Sequence, residues 1–396
     1  MADLPAATVL YTTSDADPQG GALRCLLEMG TEIRHWGFRP LFVLPDPLPG
    51  SGASSSAIPA DTLRMRLPRP RRGRSPAQWV GGAVQTVRSC YRLARVMRRE
   101  RVAVVHVNEM LDLYGGIAAR LAGVPCVWHV RADISTWPRP AKMLFARAVG
   151  TLSSRVVVVS DSVRDRVFAD QGLSTAKVRV LHDPGPDPAV FHPGLDGSTL
   201  REEFGVAEGG FLVVLVSKLV ETKGHEVLVR AVPYVLRSFP EVRFVIVGGA
   251  LDGDHHRRYA AHLRSLPAEL GVQDAVTFAG YRDDVARIIA AADIVTHCPT
   301  HPDPFPGVVL QAMSVGRPVV ASNIGGAAEQ IEDGVSGVLV PPDDAIALAD
   351  AISALLKDPD RRAELGRAGA SRVATEFSSD AFYSKLIDIY RSLIRR

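Results

Sequence analysis

The sequence predicts an α/β protein built from two doubly wound domains. Short, strongly apolar segments alternate with longer stretches of helical period, and this alternation restarts after a break rich in proline and glycine. At 396 residues the chain is also too long for one ordinary domain, and its 46% of hydrophobic residues can form two cores. Two domains of roughly 200 residues each are therefore expected.

The predicted strands are rich in β-branched residues and lack regular polar alternation, as in parallel strands buried on both faces. In the first half of the chain they are predicted at residues 7–13, 40–45, 102–108, 125–131, 155–160 and 178–183. In the second half they are predicted at residues 211–219, 242–249, 275–281, 293–299, 317–323 and 337–341. Helices are predicted between them at residues 21–37, 77–101, 224–239, 305–316 and 345–356.

The break between the two series lies at residues 183–197, where closely spaced prolines and glycines can continue neither a helix nor a strand. We therefore predict an N-terminal Rossmann-like domain over residues 1–190 and a C-terminal Rossmann-like domain over 191–380. A last helix over 381–396 is expected to pack back on the first domain. Residues 45–60 are predicted to form a loop. Ligands of doubly wound folds bind at the carboxyl ends of the strands, so the chemistry is expected in an interdomain cleft.

The charge balance differs between the two halves. The formal net charge of +3 argues against a dedicated nucleic-acid-binding protein. Residues 1–190 carry 25 basic and 16 acidic residues, whereas residues 191–396 carry 21 and 27. The four cysteines form no C-x-x-C pair, the N-terminus has no basic leader, and no apolar run of about 18 residues occurs. We therefore expect a cytoplasmic protein without a disulfide framework or a membrane span.

A glycine pair follows the first predicted strand. Gly20 and Gly21 stand where the chain turns into a helix, and glycines there let backbone N–H groups approach a phosphate. A tight turn without a ligand explains the pair equally well. The dinucleotide fingerprint G-x-G-x-x-G does not occur, which argues against a nicotinamide-dependent dehydrogenase.

Two segments of the second half also follow predicted strands. Lys218 ends one strand and Lys223 precedes the next helix, which suggests an anion site, with an ordinary surface loop as the alternative. The segment from Asp303 to Gln311 runs through a proline-rich turn into a helix. The first N–H groups of that helix, near residues 305–308, favour a diphosphate or a sugar hydroxyl. A role for Asp303 as a simple helix cap is the alternative.

The motifs occur in a characteristic order. The glycine pair is followed by W-H-V-R at 128–131, S-K-L-V-E-T-K-G at 217–224, V-I-V-G-G at 245–249, D-P-F-P-G-V-V-L-Q-A-M at 303–313 and N-I-G-G-A-A-E-Q-I-E-D-G at 323–334. In order and spacing the chain resembles the retaining glycosyltransferases of family 4, which have the GT-B fold. The resemblance covers nearly the whole chain and is strongest in the second half.

The resemblance implies a donor site in the C-terminal domain. Lys218 and Lys223 match basic positions that hold the phosphates of the leaving nucleotide, the first of which is usually arginine. Asp303 and Gln311 stand where the family has two glutamates, which contact the donor hexose and the ribose hydroxyls. Pro306 replaces a usual glycine and removes one backbone N–H.

Further site residues are implied by the same match. His129 matches a histidine that lies over the donor sugar, although a lone histidine at a strand end is more often structural. The catalytic set implied by the match is His129, Lys218, Lys223 and Asp303. The donor-binding set adds Gly20, Gly21, Arg282, Phe305, Pro306, Gly307, Val308 and Gln311.

The resemblance also implies the reaction. A hexose would move from a nucleoside diphosphate sugar to an unidentified acceptor, such as a cell-surface glycan, a glycolipid or a small metabolite. We expect retention of configuration through front-face attack, because no pair of carboxylates with nucleophile and acid character is evident. We expect no metal and no other cofactor, since cations and helix N-termini can stabilise the departing diphosphate. The alternatives are a retaining phosphorylase or sugar-phosphate synthase on the same fold, and a non-catalytic nucleotide-sugar-binding protein.

One basic stretch of the sequence has no role in the donor site that the resemblance implies. Between Arg64 and Arg101 there are twelve arginines and a single acidic residue. Four of them share one face of the predicted helix by their spacing, namely Arg88, Arg92, Arg95 and Arg99. This face predicts peripheral contact with an anionic membrane or an anionic acceptor, and the alternative is a solvated face in an arginine-rich chain.

Overall fold

The computed structural model describes residues 6–13, 21–46, 59, 61–65, 76–110, 112–134, 136–168 and 177–395, with the backbone alone for 21, 22, 24 and 76–83. By internal contacts the chain divides into two units. Unit 1 comprises Met1–His182 and Phe382–Arg396, and unit 2 comprises Asp183–Ala381. Most of the predicted loop at 45–60, as well as Gly20, lies outside the described residues.

Unit 1 contains a parallel sheet of seven described strands in the order β3-β2-β1-β4-β5-β6-β7. The strands are β1 (Ala7–Thr12), β2 (Phe38–Pro45), β3 (Thr62–Met65), β4 (Val102–Val107), β5 (Cys126–Val130), β6 (Arg155–Val158) and β7 (Val178–Val180). The helices are α1 (Gly21–Glu32), α2 (Pro76–Arg99), α3 (Leu113–Ala122), α4 (Arg139–Leu152) and α5 (Asp161–Phe168), and a 3-10 turn (Ile33–Trp36) extends α1. The strand β3 has no counterpart among the predicted strands, because four residues at a sheet edge carry little periodic pattern.

Unit 2 contains a parallel sheet of six strands in the order β10-β9-β8-β11-β12-β13. The strands are β8 (Leu212–Val216), β9 (Arg243–Val247), β10 (Val276–Gly280), β11 (Ile294–His297), β12 (Val319–Ser322) and β13 (Val338–Val340). The helices are α6 (Ser198–Glu203), α7 (His225–Leu236), α8 (Asp254–Glu269), α9 (Val285–Ala291), α10 (Gly307–Ser314), α11 (Ala327–Gln330), α12 (Ala345–Lys357) and α13 (Pro359–Glu376). The last helix, α14 (Ser379–Ile394), belongs to unit 1 from Phe382 onward.

The central strands of unit 2 contribute to two cores at once. In β8, Val213 and Leu215 join the core formed with α7, α8 and α12. Leu212 and Val214 point the other way and join the core formed with α9 and α10. Since successive side chains of a strand alternate between faces, burial of both faces requires an uninterrupted apolar strand. This is why the sequence shows apolar runs here instead of alternation.

The helix α14 completes one core of unit 1. Its buried side chains recur at helical spacing and pack with residues of α1, β1 and β2; they are Phe382, Tyr383, Leu386, Ile387, Tyr390 and Leu393. Truncating a buried aromatic side chain of this kind to alanine costs about 3–5 kcal/mol. Among the described helices, none is both long and apolar enough to cross a lipid bilayer.

Candidate active site

The strand order of unit 2 reverses between β8 and β11. From β8 the chain winds toward β10, and from β11 it winds toward β13, so the loops at the carboxyl ends of these two strands diverge. Doubly wound folds bind their ligands in the crevice at such a point. Lys218 follows β8 and Asp303 follows β11. The topology therefore brings together the two segments that the sequence singled out.

Gly224 shapes the loop that carries the lysines. Its φ is +70°, and a Cβ atom there would lie 1.7 Å from the carbonyl oxygen of Cys298. A side chain at this position is excluded by both the backbone conformation and the contact. The loop consequently lies against the segment after β11, where the Thr300 N–H donates to the Thr222 carbonyl at 3.1 Å. This contact holds Lys223 close to the segment of Asp303.

Lys223 and Asp303 form an ion pair in which Nζ donates to Oδ2. His297 Nε2 lies 3.5 Å from the same carboxylate oxygen, and the Asp303 side chain is only 12% exposed. Burial lowers the pKa of His297 to about 4, although the Asp303 charge acts in the opposite direction. His297 is therefore neutral at pH 7, and the cluster contains one cation and one anion.

The segment around Asp303 is supported by the turn before α11. The Gly326 N–H donates to the Asp303 carbonyl at 2.8 Å. Gly325 has a φ of +66°, and a Cβ atom there would lie 2.4 Å from that carbonyl oxygen. Gln330 is fully buried, and its Nε2 donates to the Pro306 carbonyl at 3.2 Å. These contacts fix the backbone that leads into α10.

The N-terminus of α10 is open to a ligand. Pro306 is its N-cap residue, and no side chain caps the helix there. The first N–H groups, those of Gly307 and Val308, are the ones that a helix leaves without an intrahelical partner. Gly307 is exposed and Val308 is half-buried. A diphosphate or carboxylate is the kind of ligand that such a helix end favours.

The other residues of unit 2 predicted to bind the donor lie in different surroundings. Lys218 is exposed, Gln311 is half-buried on α10, and the Phe305 ring packs edge-on against Phe377. The Arg282 guanidinium donates to Asp284 through Nε and Nη2, and to Glu203 through Nη1, at 2.6–2.8 Å. Arg282 can therefore bind the donor only if its guanidinium group gives up these carboxylate partners.

The strand order of unit 1 reverses between β1 and β4. Gly21 opens α1 after β1, at the edge of the sheet where ligands bind. His129 lies on β5, which is next to β4 in the sheet, and it is fully buried. In the parallel pairing of β4 and β5, Val107 lies opposite Trp128. His106 directly precedes Val107 and His129 directly follows Trp128, so both histidine side chains point to the other face of the sheet.

Arg131 determines which nitrogen of His129 carries the proton. Arg131 Nη2 lies 3.3 Å from His129 Nδ1, and its Nε donates to Asn108 Oδ1 at 2.8 Å. A guanidinium can only donate, so His129 Nδ1 accepts. The proton of the neutral imidazole then resides on Nε2, which has no hydrogen-bond partner among the described residues.

The position of the proton on His129 also fixes the hydrogen-bond directions of His106, Tyr390 and Tyr11. His106 Nε2 lies 3.3 Å from His129 Nδ1 and must also donate to it. His106 Nδ1 is left as an acceptor, and the Tyr390 hydroxyl donates to it at 2.6 Å. The Tyr390 oxygen accepts in turn from the Tyr11 hydroxyl at 3.2 Å. We call these groups, Tyr11, Tyr390, His106, His129 and Arg131, the histidine network.

Burial keeps the imidazoles and phenols of the histidine network neutral. It lowers the pKa of His106 to about 3 and that of His129 well below its ordinary value, and the Arg131 charge acts in the same direction. Burial also raises the pKa values of Tyr11 and Tyr390 far above their usual range. At neutral pH, His129 therefore presents an uncharged Nε2–H as a hydrogen-bond donor.

Three residues of the two clusters, His106, Tyr390 and His297, were not among the predicted site residues. His106 has a recognisable pattern, because V-V-H-V-N and W-H-V-R are strand ends of the same type in neighbouring predicted strands. His297 ends β11 and has a similar pattern. Tyr390 is 284 residues from His106, and its helical spacing predicts only a core position.

Both halves of the chain match known families. Residues 19–184 match Glycosyltransferase Family 4, and residues 196–372 match Glycosyl transferases group 1. A D-inositol 3-phosphate glycosyltransferase of Acidothermus cellulolyticus is 32% identical over 331 residues, covering 78% of this chain and 72% of that protein. The chain is a family 4 glycosyltransferase. A second relative, the D-inositol 3-phosphate glycosyltransferase of Kribbella flavida, is 30% identical over 339 residues, covering 80% and 79%.

The glycosyltransferase also resembles solved structures over nearly its whole length. A crystal structure of Anabaena HepE in complex with UDP has a TM-score of 0.82 and 25% sequence identity, covering 97% of this chain and 100% of that one. With its two parallel sheets flanked by helices, the glycosyltransferase has the GT-B fold. The predicted family and fold class are thus confirmed.

Proposed function

We propose that this glycosyltransferase transfers a hexose from a nucleoside diphosphate sugar to a hydroxyl acceptor with retention of configuration. The observation that carries the proposal is the Lys223–Asp303 ion pair beside the open N-terminus of α10, at the switch point of unit 2. HepE, which is 25% identical, was crystallised with UDP, so a uridine diphosphate sugar is the first donor to test.

Lys223 is the central donor-binding residue of the proposal. The Lys223 ammonium group is paired with the Asp303 carboxylate. An arriving diphosphate competes for the ammonium group and can also accept from Lys218 and from the first N–H groups of α10. Asp303 is then released toward the hexose hydroxyls. The same cations stabilise the charge that builds on the diphosphate as the sugar–phosphate bond breaks.

The proposed reaction is a front-face displacement. The acceptor oxygen bonds to the anomeric carbon as the bond to the diphosphate breaks, and the leaving phosphate oxygen takes the acceptor's proton. This scheme requires no carboxylate nucleophile. We assign to His129 a hydrogen bond from Nε2–H to a substrate oxygen, which requires the buried side chain to become accessible when the substrates bind. Because burial keeps its imidazole neutral, we assign it no role as a general base.

Metal independence is part of the proposal. Lys218, Lys223 and the N-terminus of α10 supply positive character where other transferases use a metal ion. A direct test is needed because Glu221, His255 and His256 have potential ligand atoms within 4.8 Å of one another, and Glu221 precedes Lys223 by two residues. Turnover that is unchanged by a chelator supports metal independence, and turnover that disappears contradicts it.

The names of the two relatives suggest the first acceptor to test, D-inositol 3-phosphate. The positive charge of residues 1–190 is compatible with an acceptor that carries a phosphate. We also assign the reaction to the cytoplasm, because the four cysteines are far apart in the sequence and form no C-x-x-C pair, as is usual in a reducing compartment.

The decisive experiment measures transfer and hydrolysis with uridine, guanosine, adenosine and thymidine diphosphate sugars, each with and without chelator. We expect one nucleotide to be strongly preferred and the product to keep the anomeric configuration of the donor. Inversion in the product would exclude the proposed chemistry. Tight donor binding without turnover would instead favour a non-catalytic nucleotide-sugar-binding protein. That alternative is suggested by Asp303 and Gln311, which stand where the family has two glutamates. Turnover of inorganic phosphate or of a sugar phosphate would favour the phosphorylase or synthase.

A further inference from the structure

Three helices of unit 1 form a layer with basic residues and no acidic ones. The helix α2 packs against α3, and α3 packs against α4. At the ends of α2 and α3, Arg98 donates to the Leu121 carbonyl. The three helix sequences contain nine basic residues and no aspartate or glutamate. The nine are Arg88, Arg92, Arg95, Arg98, Arg99, Arg120, Arg139, Lys142 and Arg147. We call these three helices the basic layer.

The arginine content of the chain does not explain this layer. The helix α13 is also rich in arginine, but its sequence includes three acidic residues. There Arg361 pairs with Glu364 at 2.6 Å, and Arg372 pairs with Glu376 at 2.8 Å. A solvated helix face is expected to look like α13, with charges of both signs at spacings of three and four. The basic layer differs because it lacks the carboxylates.

The basic layer also exposes apolar side chains. Among the described residues, fifteen large hydrophobic side chains are exposed, and seven of them lie on these three helices. They are Val84, Val87, Tyr91, Leu113, Leu121, Met143 and Leu144. On α2 the exposed valines and Tyr91 alternate with Arg88, Arg92 and Arg95, so apolar and cationic groups occupy the same face. Leu144 on α4 is 70% exposed.

The acidic residues that directly follow α2 and directly precede α3 in the chain are already paired or buried. Glu100, directly after α2, is held by Arg39 at 2.7 Å and by Arg99 at 3.1 Å. Asp112, which caps α3, is fully buried. A positive face that carries exposed aliphatic and aromatic side chains suits a surface with anionic headgroups and an apolar interior. Nucleic acid would use the charge but would leave the aliphatic side chains in water.

We propose that the basic layer is a peripheral docking surface for an anionic lipid membrane. The guanidinium groups contact lipid phosphates, and Val84, Val87, Tyr91 and Leu144 enter the interfacial region. The proposal is independent of the donor and acceptor assigned above, since it concerns a surface and not the transfer reaction.

Vesicle sedimentation of the full chain tests the proposal. We expect binding to phosphatidylcholine vesicles that contain roughly one third phosphatidylglycerol, and little binding to pure phosphatidylcholine. Reversing three charges of α2 with Arg88→Glu, Arg92→Glu and Arg95→Glu should weaken binding at least tenfold, because three groups attracted to the anionic surface become repelled by it. The matched control reverses three exposed arginines of unit 2 with Arg237→Glu, Arg258→Glu and Arg264→Glu. The control should bind as the parent protein does.

A second measurement separates lipid insertion from charge attraction alone. The variant Tyr91→Trp places a fluorescent group on the exposed face of α2, and brominated lipids should quench its emission relative to the parent protein. Equal binding to both vesicle types, an equal effect of the two triple reversals, or absence of quenching would each overturn the proposal. Binding of RNA in preference to vesicles at the same salt concentration would also overturn it, in favour of a nucleic-acid surface.

Discussion

The two polar clusters of the molecule differ in how deeply they are buried, and this difference determines what their residues can do. The imidazoles and phenols of the histidine network in unit 1 are fully buried, and they remain neutral at physiological pH. In unit 2, Lys223 and Asp303 are 29% and 12% exposed and keep opposite charges as a pair. Buried groups act as directed hydrogen-bond donors, whereas partly exposed ones act as charges.

This division matches the requirements of sugar transfer. Charge develops on the leaving diphosphate, and cations and helix N–H groups aimed at that charge stabilise it there. A sugar hydroxyl is uncharged and is best oriented by a neutral donor in a fixed position. The ionic cluster and the neutral one should therefore respond differently to substitution and to pH.

The largest effect is expected for Lys223→Ala. Losing a charged hydrogen bond to the diphosphate costs about 1.5–3 kcal/mol, which lowers kcat/KM by roughly tenfold to a hundredfold. Steady-state kinetics measures this change. The control is Lys357→Ala, which removes an exposed lysine at the end of α12 and should leave the kinetics unchanged. A Lys223→Ala enzyme with the parent's kcat/KM would remove the phosphate role.

Acidification should destabilise both units. In the folded protein burial lowers the pKa of His297 from 6.5 to about 4 and that of His106 from 6.5 to about 3. As the pH falls below 6.5, the unfolded chain gains protons that the folded chain does not bind, so the free energy of unfolding decreases. At about pH 5 each site accounts for a loss of about 2 kcal/mol, and the loss vanishes above 6.5.

Urea unfolding at about pH 5 and about pH 7.5 measures this loss. The variant His297→Gln removes one titrating group and should make the difference between the two conditions smaller. Equal stability of the parent protein at both pH values would contradict the assignment of neutral buried histidines.

The role of His129 is tested by its pH profile. We expect His129→Ala to lower kcat by about tenfold, since the lost hydrogen bond contributes about 1.4 kcal/mol. The variant His129→Gln can still donate from its amide and should recover part of the activity. Because the pKa of His129 is lowered well below its ordinary value, the imidazole stays neutral between pH 6 and 8. The kcat of the parent enzyme should therefore show no titration in this range that is lost in His129→Gln. Such a titration would instead identify His129 as a general base.

Tyr390→Phe tests the positioning of His129 from a distance. Removing the hydroxyl leaves His106 Nδ1 without its donor in a buried site, which should cost about 1–2 kcal/mol of stability. It should also lower kcat severalfold with little change in KM, because His129 is less firmly oriented. Tyr383→Phe, another buried tyrosine of α14, serves as the control. Equal kinetic effects of the two variants would indicate a purely structural role for Tyr390.

The smallest expected effect belongs to Asp303→Asn. This variant removes the anion that competes with a diphosphate for Lys223. We expect UDP, which lacks the hexose, to bind a few-fold more tightly, by less than about 1.4 kcal/mol. Calorimetric titration with UDP measures the change. Weaker UDP binding would mean that Asp303 orients Lys223 for the phosphate instead of competing for it.

Much of the fold could be predicted from the sequence because the local pattern carries it. The apolar runs of β8 and its neighbours report burial on both faces, and the proline-rich break marks the change from one series to the next. The short edge strand β3 was missed because its burial depends on what packs beside it. Lys218, Lys223 and Asp303 could be predicted as candidate site residues because residues after parallel strands meet at one edge.

The local pattern of residues was enough to predict the alternation of strands and helices, the family resemblance, and the residues that follow the strands. The partners of polar residues came from the folded chain: Asp303 for Lys223, the two carboxylates for Arg282, and Tyr390 for His106. The physical reason is that a pattern of hydrophobicity records whether a position is buried. Hydrogen bonds and ion pairs depend on distances between residues up to hundreds of positions apart, and only the folded chain sets those distances.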